Sequence, residues 1–165
     1  NIYTTKVEET LEEVVVKLLL KNKMTVTCAE SCTGGLLAGR IVNVPGASAV
    51  LNESFITYAN EAKMKYLGVH EDTLRQYGAV SEQTACEMAE GAARAAGSEA
   101  AIAVTGIAGP DGGTGQKPVG LVYIGCYVKG RVTVREYRMK GSRDKIRDQS
   151  VICALDLLRR TIKIL

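Results

Sequence analysis

The stretch Met24–Gly35, which reads MTVTCAESCTGG, decides the fold that this sequence predicts. Its first half, Met24–Ala29, is rich in β-branched and apolar residues, which is typical of a buried strand. The second half ends in two glycines and leads into Leu36–Val42, a helical pattern that Pro45-Gly46 would end. A strand, a tight glycine turn and a helix in succession predict the repeating unit of an open α/β sheet.

Outward from this unit, the sequence predicts helices and strands along the whole chain. The predicted helices are Val7–Lys21, Leu36–Val42, Asn60–Leu67, Glu71–Tyr77, Ser81–Ala96 and Asp144–Ile164. The predicted strands are Met24–Ala29, Val50–Tyr58, Ala100–Thr105, Val119–Val128 and Arg131–Arg138. We expect Lys129-Gly130 to turn the last two strands into a hairpin. Early alternation followed by a hairpin predicts an α/β fold, with a mixed sheet that carries helices on both faces.

The composition is that of an ordinary globular protein and predicts one domain over residues 1–165. Hydrophobic residues make up 46% and charged residues 24%, which excludes wholesale disorder and a bare coiled coil. No apolar run reaches the ~18 residues that span a bilayer, and no secretory signal is visible. Five cysteines without a CxxC pair are typical of reduced thiols in a cytoplasm. We therefore expect a cytoplasmic protein with no membrane partner.

Positive charge is concentrated in the C-terminal quarter of the chain. Residues 129–165 contain 11 Lys/Arg and 4 Asp/Glu, although the net charge of the whole chain is only +3. Such a segment suits a phosphate, a nucleic acid or an acidic partner, and equally a solvated helix face. The chain has one Phe and no Trp to stack on bases, and no reading helix is evident. We therefore expect no specific nucleic-acid binding.

Residue types exclude several familiar catalytic designs. A Ser-His-Asp triad would need His70, the only histidine, which we expect at the surface of a helix entrance. The same histidine and the scattered cysteines lack the spacing of zinc ligands, so we expect no metal site. Neither a GxxxxGK[ST] motif nor a GxGxxG motif after a strand occurs. Phosphate binding of the P-loop or Rossmann type is therefore not supported.

The turn at residues 30–35, ESCTGG, is the strongest remaining candidate for chemistry. Its glycines let the backbone approach a ligand closely. The helix that follows offers free N–H groups and the positive end of its dipole, which suit a phosphate, a carboxylate or a developing oxyanion. The alternative is that Ser31 and Thr33 are only caps of this helix.

A serine nucleophile in that turn needs a base, and the sequence offers Lys63. The convergent alternative to histidine is a lysine whose pKa burial has lowered. Tyr58 and Lys63 follow the second predicted strand, and ligand sites in open α/β sheets lie at the carboxyl ends of strands. A solvated helix lysine is the commoner alternative. The glycine-rich loop Gly106–Pro118 and Arg143, at the start of the last helix, are further candidates for the edge of this site.

Four ordered motifs resemble those of one known family. They are AESCTGG (29–35), TYANEAK (57–63), TGIAGPDGG with KPVG (105–120) and GSRDKIR (141–147). Together they resemble the C-terminal domain of the CinA, or competence/damage-inducible, family over about Leu11 to Leu158. The resemblance implies a three-layer α/β/α sandwich with a mixed, mostly parallel sheet. It also implies a nicotinamide mononucleotide deamidase, an amidohydrolase that releases ammonia from the carboxamide without a metal or cofactor.

The resemblance implies a role for each matching residue. Ser31 would be the nucleophile, Lys63 its base, Tyr58 a relay or orienting hydroxyl, and Ser48 a weaker catalytic candidate. The substrate-binding residues would be Thr33, Gly34, Gly35, Thr105, Gly106 and Arg143. Backbone N–H groups near Thr33–Gly35 would hold the oxyanion. Ser142 stands where the family often has Asp, which would weaken phosphate binding if that Asp positions the arginine.

Two other functions stay open at this point. The chain could be a nucleotide-binding module without turnover in a larger CinA-type protein, or a competence or DNA-damage accessory protein. The first segment, Asn1–Glu9, resembles the end of a linker, so we expect a domain excised from a longer chain. We also expect a homodimer, with nicotinamide mononucleotide as substrate and a role in pyridine nucleotide salvage. Release of ammonia from that substrate would separate the enzyme from both alternatives.

Overall fold

A computed structural model describes residues 9–164, which build one sheet with helices on both faces. The helices are α1 (Leu11–Lys21), α2 (Leu36–Val42), α3 (Asn60–Leu67), α4 (Glu71–Tyr77), α5 (Glu82–Ala96) and α6 (Arg143–Lys163), with a short 3₁₀ helix at Ala47–Ala49. The strands are β1 (Val26–Glu30), β2 (Phe55–Ile56), β3 (Ala100–Gly106), β4 (Leu121–Val128) and β5 (Arg131–Arg138). Their order along the chain is the predicted one.

The sheet has the strand order β2-β1-β3-β4-β5 and is mixed, as predicted. Strand β1 runs parallel to both β2 and β3, whereas β4 is antiparallel to β3 and β5 is antiparallel to β4. In the parallel part, Glu30 at the end of β1 is in register with Ile56 and with Val104. The next residues are Ser31, Thr57 and Thr105, which therefore lie side by side at the carboxyl ends of the parallel strands, here called the sheet edge.

Alternating side chains of the central strands form the two halves of the core. On β3, Ile102 and Val104 belong to the cluster that packs under α1, α2 and α6. Ala101 and Ala103 face the other way and pack under α5. Strand β3 is buried on both faces, which explains its continuous apolar sequence. The result is the three-layer α/β/α sandwich. The carboxyl ends of the parallel strands β1 and β3 remain open.

Helix ends follow the local signals in the sequence. Thr10 begins α1 with a capping box, in which its side chain and that of Glu13 each accept the other's backbone N–H. Ser81 caps α5 by accepting from the Thr84 amide. Gly97 ends α5 in the left-handed conformation that glycine adopts without steric cost.

Two predicted elements differ from the structure by more than two residues at one end. The predicted strand Val50–Tyr58 shrinks to Phe55–Ile56, because the chain before it forms the 3₁₀ helix and pairs with β1 as a strand would only where Leu51 bridges Val26. Helix α1 begins at Leu11 rather than Val7, and Val7 lies outside the described residues, as does the expected linker over residues 1–8. No helix in the described part of the chain is both long and apolar enough to cross a membrane.

Candidate active site

Lys63 is the most unusual side chain of the sheet edge, because it is a fully buried lysine. Its exposed fraction is 0%, and it is among the largest fully buried side chains in the described chain. Its Nζ lies 3.3 Å from Ser31 Oγ, 2.8 Å from the Thr57 carbonyl oxygen and 3.1 Å from that of Tyr58. The structure therefore brings the predicted nucleophile and the predicted base into direct contact.

Burial favours an uncharged Lys63 amine. It lowers the pKa of Lys63, although neighbouring Cys32 and Glu61 act in the opposite direction. The Lys63 amine donates to the Thr57 and Tyr58 carbonyls, which can only accept, and to the Ser31 hydroxyl. When the amine is neutral it has only two N–H bonds, which the carbonyls take, and its lone pair is then left for the Ser31 hydroxyl as donor. The neutral form is the one that a general base needs.

Ser31 is held firmly although it lies outside any helix or strand. Its amide donates to the Val104 carbonyl at 2.9 Å, which extends the ladder between β1 and β3 by one residue. The residue is 9% exposed, so its hydroxyl lies just beneath the surface. Gly34 and Gly35 follow with φ values of 59° and 100°, which explains why this turn needs two glycines.

Glu30 caps α2, a role that the sequence analysis missed. Its carboxylate is fully buried and accepts from the amides of Gly35, Leu37 and Ala38 at 2.8 to 3.1 Å. A carboxylate at this position satisfies the free N–H groups and the dipole of the helix N-terminus. Ser31 and Thr33 are thus not the caps. No local pattern indicates this role, because a cap normally comes from the residue at the helix start rather than from the preceding strand.

Two amides of the predicted oxyanion-donor range Thr33–Gly35 are engaged within the turn. The amide of Gly35 donates to Glu30, and the amide of Gly34 donates to the Ser31 carbonyl at 3.2 Å. Within residues 9–164, the Thr33 amide has no hydrogen-bond partner, and the Cys32 amide lies against its own thiol. Cys32 and Thr33 therefore present the amides next to the nucleophile that no other residue occupies.

Arg147, on the first turns of α6, holds the backbone of this loop. Its guanidinium donates to the Cys32 carbonyl at 3.0 Å and to the Thr33 carbonyl at 2.9 Å. The C=O and N–H of a trans peptide point in opposite directions. Fixing the Cys32 carbonyl toward Arg147 therefore aims the Thr33 N–H away from Arg147. In the sequence this arginine is part of the motif GSRDKIR (141–147), which does not indicate its role in the loop.

Tyr58 and Arg143, both predicted site residues, meet through their polar ends. Arg143 donates to the Gly109 carbonyl at 2.7 Å and to the Tyr58 hydroxyl at 3.2 Å. The Tyr58 side chain is 62% exposed, and its phenol is directed to Arg143 rather than placed between Ser31 and Lys63. A relay through this phenol is not needed for the direct Lys63–Ser31 contact. Ser142, the departure from the family pattern, caps α6 through the Lys145 amide.

Thr105 and Gly106 lie at the same edge, but their contacts are internal. The Thr105 hydroxyl is buried and donates to the Ala79 carbonyl at 2.7 Å. A Cβ on Gly106 would come within 2.7 Å of the Val122 side chain, so the close approach of β4 requires glycine here. Lys117, in the following loop, donates to the Tyr77 and Val80 carbonyls. These bonds fix the loop beside the site.

Ser48 is not placed with the other predicted catalytic residues of this chain. It lies exposed on the 3₁₀ helix, and Leu51 of the same segment bridges Val26 at the start of β1. Ser31 follows the opposite end of that strand, five residues beyond Val26 and therefore roughly 17 Å from it at about 3.3 Å per residue. Ser48 makes no hydrogen bond to Ser31 or Lys63. The position of Ser48 in the sequence does not reveal its distance from Ser31 and Lys63.

The Cys32 thiol lies buried beside the nucleophile, whereas the His70 imidazole lies at the surface. Burial raises the pKa of the Cys32 thiol to about 11, so it stays protonated at neutral pH. His70 is exposed at the start of α4, as predicted, and contacts Glu87. Among the described residues, no three His, Cys, Asp or Glu side chains gather into a group that could hold a metal ion.

Comparisons with known proteins agree with this fold. The chain resembles a competence/damage-inducible protein of Agrobacterium tumefaciens with 41% identity and a TM-score of 0.87, covering 97% of this chain and 99% of that one. A CinA superfamily protein of Klebsiella pneumoniae has 31% identity and a TM-score of 0.90, with 95% and 100% coverage.

Curated relatives extend the same similarity. CinA-like proteins of Kosmotoga olearia and Dictyoglomus turgidum are 55% and 54% identical over 155 and 153 residues. Those matches cover 94% and 93% of this chain but only 38% and 37% of the relatives, so the chain spans about two fifths of their length. The family model described as the CinA C-terminal domain matches residues 8–162. The chain therefore belongs to the CinA C-terminal domain family.

Proposed function

We propose that this chain is an amidohydrolase that converts nicotinamide mononucleotide to nicotinic acid mononucleotide and ammonia, a reaction of pyridine nucleotide salvage. The observation that carries the proposal is the buried Lys63 amine 3.3 Å from the Ser31 hydroxyl. A buried lysine against a serine is a known alternative to the Ser-His pair for acyl transfer. If Ser31 were only a helix cap, it would not need a buried amine beside it.

In the first step, Ser31 Oγ attacks the carbon of the substrate's carboxamide. The hydroxyl proton moves to the lone pair of Lys63, whose two N–H bonds stay on the carbonyls of Thr57 and Tyr58. The pyridinium ring of the substrate is cationic and withdraws electrons from the carboxamide. The chain therefore needs less electrophilic help than it would for a neutral amide.

The tetrahedral oxyanion is then held by the amides beside the nucleophile. We assign this role to the Cys32 and Thr33 N–H groups, of which Arg147 orients that of Thr33 through the Cys32 carbonyl on the same peptide. One donor of this kind contributes about 3 kcal/mol to transition-state stabilisation. The buried setting strengthens each donor because little water competes for the charge.

Breakdown of the intermediate returns the proton. Protonated Lys63 gives its proton to the amide nitrogen, the C–N bond breaks, and ammonia leaves an ester on Ser31 Oγ. Water attacks this ester and gives a proton to Lys63, which passes it to Ser31 as the acid product leaves. Each proton that Lys63 accepts is delivered again, so the chain returns to its starting state.

The phosphate of the substrate is proposed to bind at Arg143. Its guanidinium stands at the mouth of the site between the glycine-rich loop and Tyr58. Arginine matches phosphate through two parallel N–H bonds, and the Gly109 carbonyl fixes the side chain for that purpose. Tyr58 orients Arg143 and lies on the path of the nucleotide.

The test is release of ammonia and nicotinic acid mononucleotide by the purified chain. Ser31→Ala and Lys63→Met should each lower kcat by at least about 10²-fold. Because the two residues act as one unit, the double variant should be little worse than either single variant. Ser48→Ala is the matched control and should retain turnover. Absence of ammonia release by a correctly folded wild-type chain would overturn the proposal in favour of a binding module.

A further inference from the structure

The outer strand β5 carries a row of cationic and aromatic side chains on one face. Side chains two residues apart on a strand point to the same face, which places Arg131, Thr133, Arg135 and Tyr137 together. The C-terminal half of α6 lies opposite this row. Between them is a cleft of about 600 Å³, here called the arginine cleft, which these four residues line together with Asp156 and Arg160.

The arginine cleft has a net positive charge that nothing in the described chain neutralises. Asp156 is its only acidic lining residue, and its carboxylate is already bound by Arg159 at 2.6 Å and by Arg160 at 2.7 Å. Arg131 and Arg135 have no hydrogen-bond or ion-pair partner within residues 9–164. Two exposed guanidinium groups thus face the cleft without an anion.

The remaining lining is apolar and aromatic. Val128 and Leu157 are buried and form part of the wall, and the Tyr137 ring is half-buried beside them. A cleft of this volume suits a ligand the size of a nucleotide. Its surface therefore combines donors for phosphate with a flat apolar area for a ring.

This cleft lies on β5, which β3 and β4 separate from β1, and its Arg131 end lies at the opposite end of the strands from Ser31. Arg131 pairs with Val128 at the end of β4, and Val128 pairs with Ala100 at the start of β3. Ser31 follows the carboxyl end of the neighbouring parallel strand β1. The cleft and the candidate active site share no lining residue, so a ligand in one leaves the other accessible.

We propose that the arginine cleft is a second site, which binds a nucleoside phosphate. The phosphates bind Arg131 and Arg135, whose guanidinium groups form paired bonds with phosphate oxygens. The base lies against Tyr137 and the apolar wall. The proposal concerns a binding site and does not depend on the amidohydrolase activity proposed for Ser31.

The experiment measures binding of ADP to the 165-residue chain by calorimetry, with adenosine and inorganic pyrophosphate as companion probes. We expect ADP to bind with a Kd below about 1 mM and adenosine to bind at least about tenfold more weakly. The double variant Arg131→Ala/Arg135→Ala should lose at least about tenfold in affinity for ADP. Both side chains are exposed, so the variant should keep its fold, which its thermal midpoint checks.

Two controls separate this site from other sources of binding. Arg138→Ala removes an arginine of the same strand that belongs to the alternate set of side chains, and it should leave ADP affinity unchanged. Arg143→Ala alters the candidate active site and should also leave it unchanged. The proposal is overturned if ADP does not bind, if the double variant binds it normally, or if Arg143→Ala abolishes binding. Binding of a single-stranded oligonucleotide without binding of ADP would overturn it too.

Discussion

Lys63 Nζ lies 3.3 Å from Ser31 Oγ although the two residues are 32 positions apart in the chain. The contact exists because β1 and β2 run parallel and end at the same edge of the sheet, with Lys63 on the first turn of the helix that follows β2. Both carbonyl partners of the amine, on Thr57 and Tyr58, come from the connection between β2 and α3. This connection therefore holds the base against the nucleophile.

The first prediction concerns pH. Burial lowers the pKa of Lys63 in the folded chain, whereas in the unfolded chain it returns to its ordinary value of 10.5. Between the two values the unfolded chain binds more protons, so the free energy of unfolding contributed by this group rises with pH. Below the lowered pKa of the folded chain, Lys63 is protonated in both the folded and the unfolded chain. The full free-energy cost of burying its charge then destabilises the fold.

The corresponding measurement compares the wild-type chain with Lys63→Met across pH 7 to 10. The stability of the wild-type chain should rise relative to that of the variant as pH increases, by denaturant unfolding at each pH. The ratio kcat/KM should rise over the lower part of the same range, since only the neutral amine accepts the Ser31 proton. A stability difference that stays constant with pH would mean that Lys63 has an unshifted pKa.

A second prediction separates Ser31 from its neighbour Cys32. Burial raises the pKa of the Cys32 thiol to about 11, so little thiolate is present at neutral pH. Cys32→Ala should therefore keep most of kcat, and iodoacetamide should modify Cys32 more slowly than the half-buried Cys153. Peptide mapping after timed alkylation gives the two rates. Loss of turnover in Cys32→Ala with retention in Ser31→Ala would assign the nucleophile to the thiol.

A third prediction concerns Arg143 and the phosphate of the substrate. Arg143→Ala should raise KM for nicotinamide mononucleotide at least about tenfold, because a charge-assisted bond to phosphate is lost. The same variant should change KM little for nicotinamide riboside, which lacks the phosphate. Steady-state kinetics with both substrates make the comparison. Equal losses on the two substrates would show that Arg143 only positions Tyr58 and the glycine-rich loop.

A fourth prediction concerns Arg147, whose replacement should change kcat rather than KM. Arg147→Lys removes the paired bonds to the Cys32 and Thr33 carbonyls and loosens the Thr33 N–H to which we assign the oxyanion. We expect kcat to fall by about 10²-fold while KM changes little, since the donor acts in the transition state. Added guanidinium ion should restore part of kcat in Arg147→Ala. A change confined to KM would contradict this positioning role.

The sequence was sufficient to predict most of the fold, because helix and strand signals are local. Helices α2, α3 and α4 and strand β5 have the predicted bounds. The second strand was too long in the prediction because Val50 and Leu51 have strand-like side chains, but their amides donate to the Ala47 carbonyl and close the 3₁₀ turn. Local context overrides strand propensity in such a short segment.

The candidate site was predictable only in part. Ser31 and Lys63 could be paired from topology and from the lack of a usable histidine, without any knowledge of side-chain geometry. Glu30 and Arg147 were missed as organisers of the loop because their partners are backbone groups, which no sequence pattern reveals. Ser48 lies apart from Ser31 and Lys63, and its position in the sequence does not indicate which end of the sheet it occupies.

The most direct test of the Ser31–Lys63 unit is detection of the covalent intermediate. Acid quenching of the chain within milliseconds of mixing with nicotinamide mononucleotide, followed by peptide mass spectrometry, should find the acyl group of nicotinic acid mononucleotide on Ser31. Ammonia should form at the same rate as this ester in the first turnover, and Lys63→Met should form neither. Ammonia release without an adduct on Ser31, together with normal turnover by Ser31→Ala, would contradict the account.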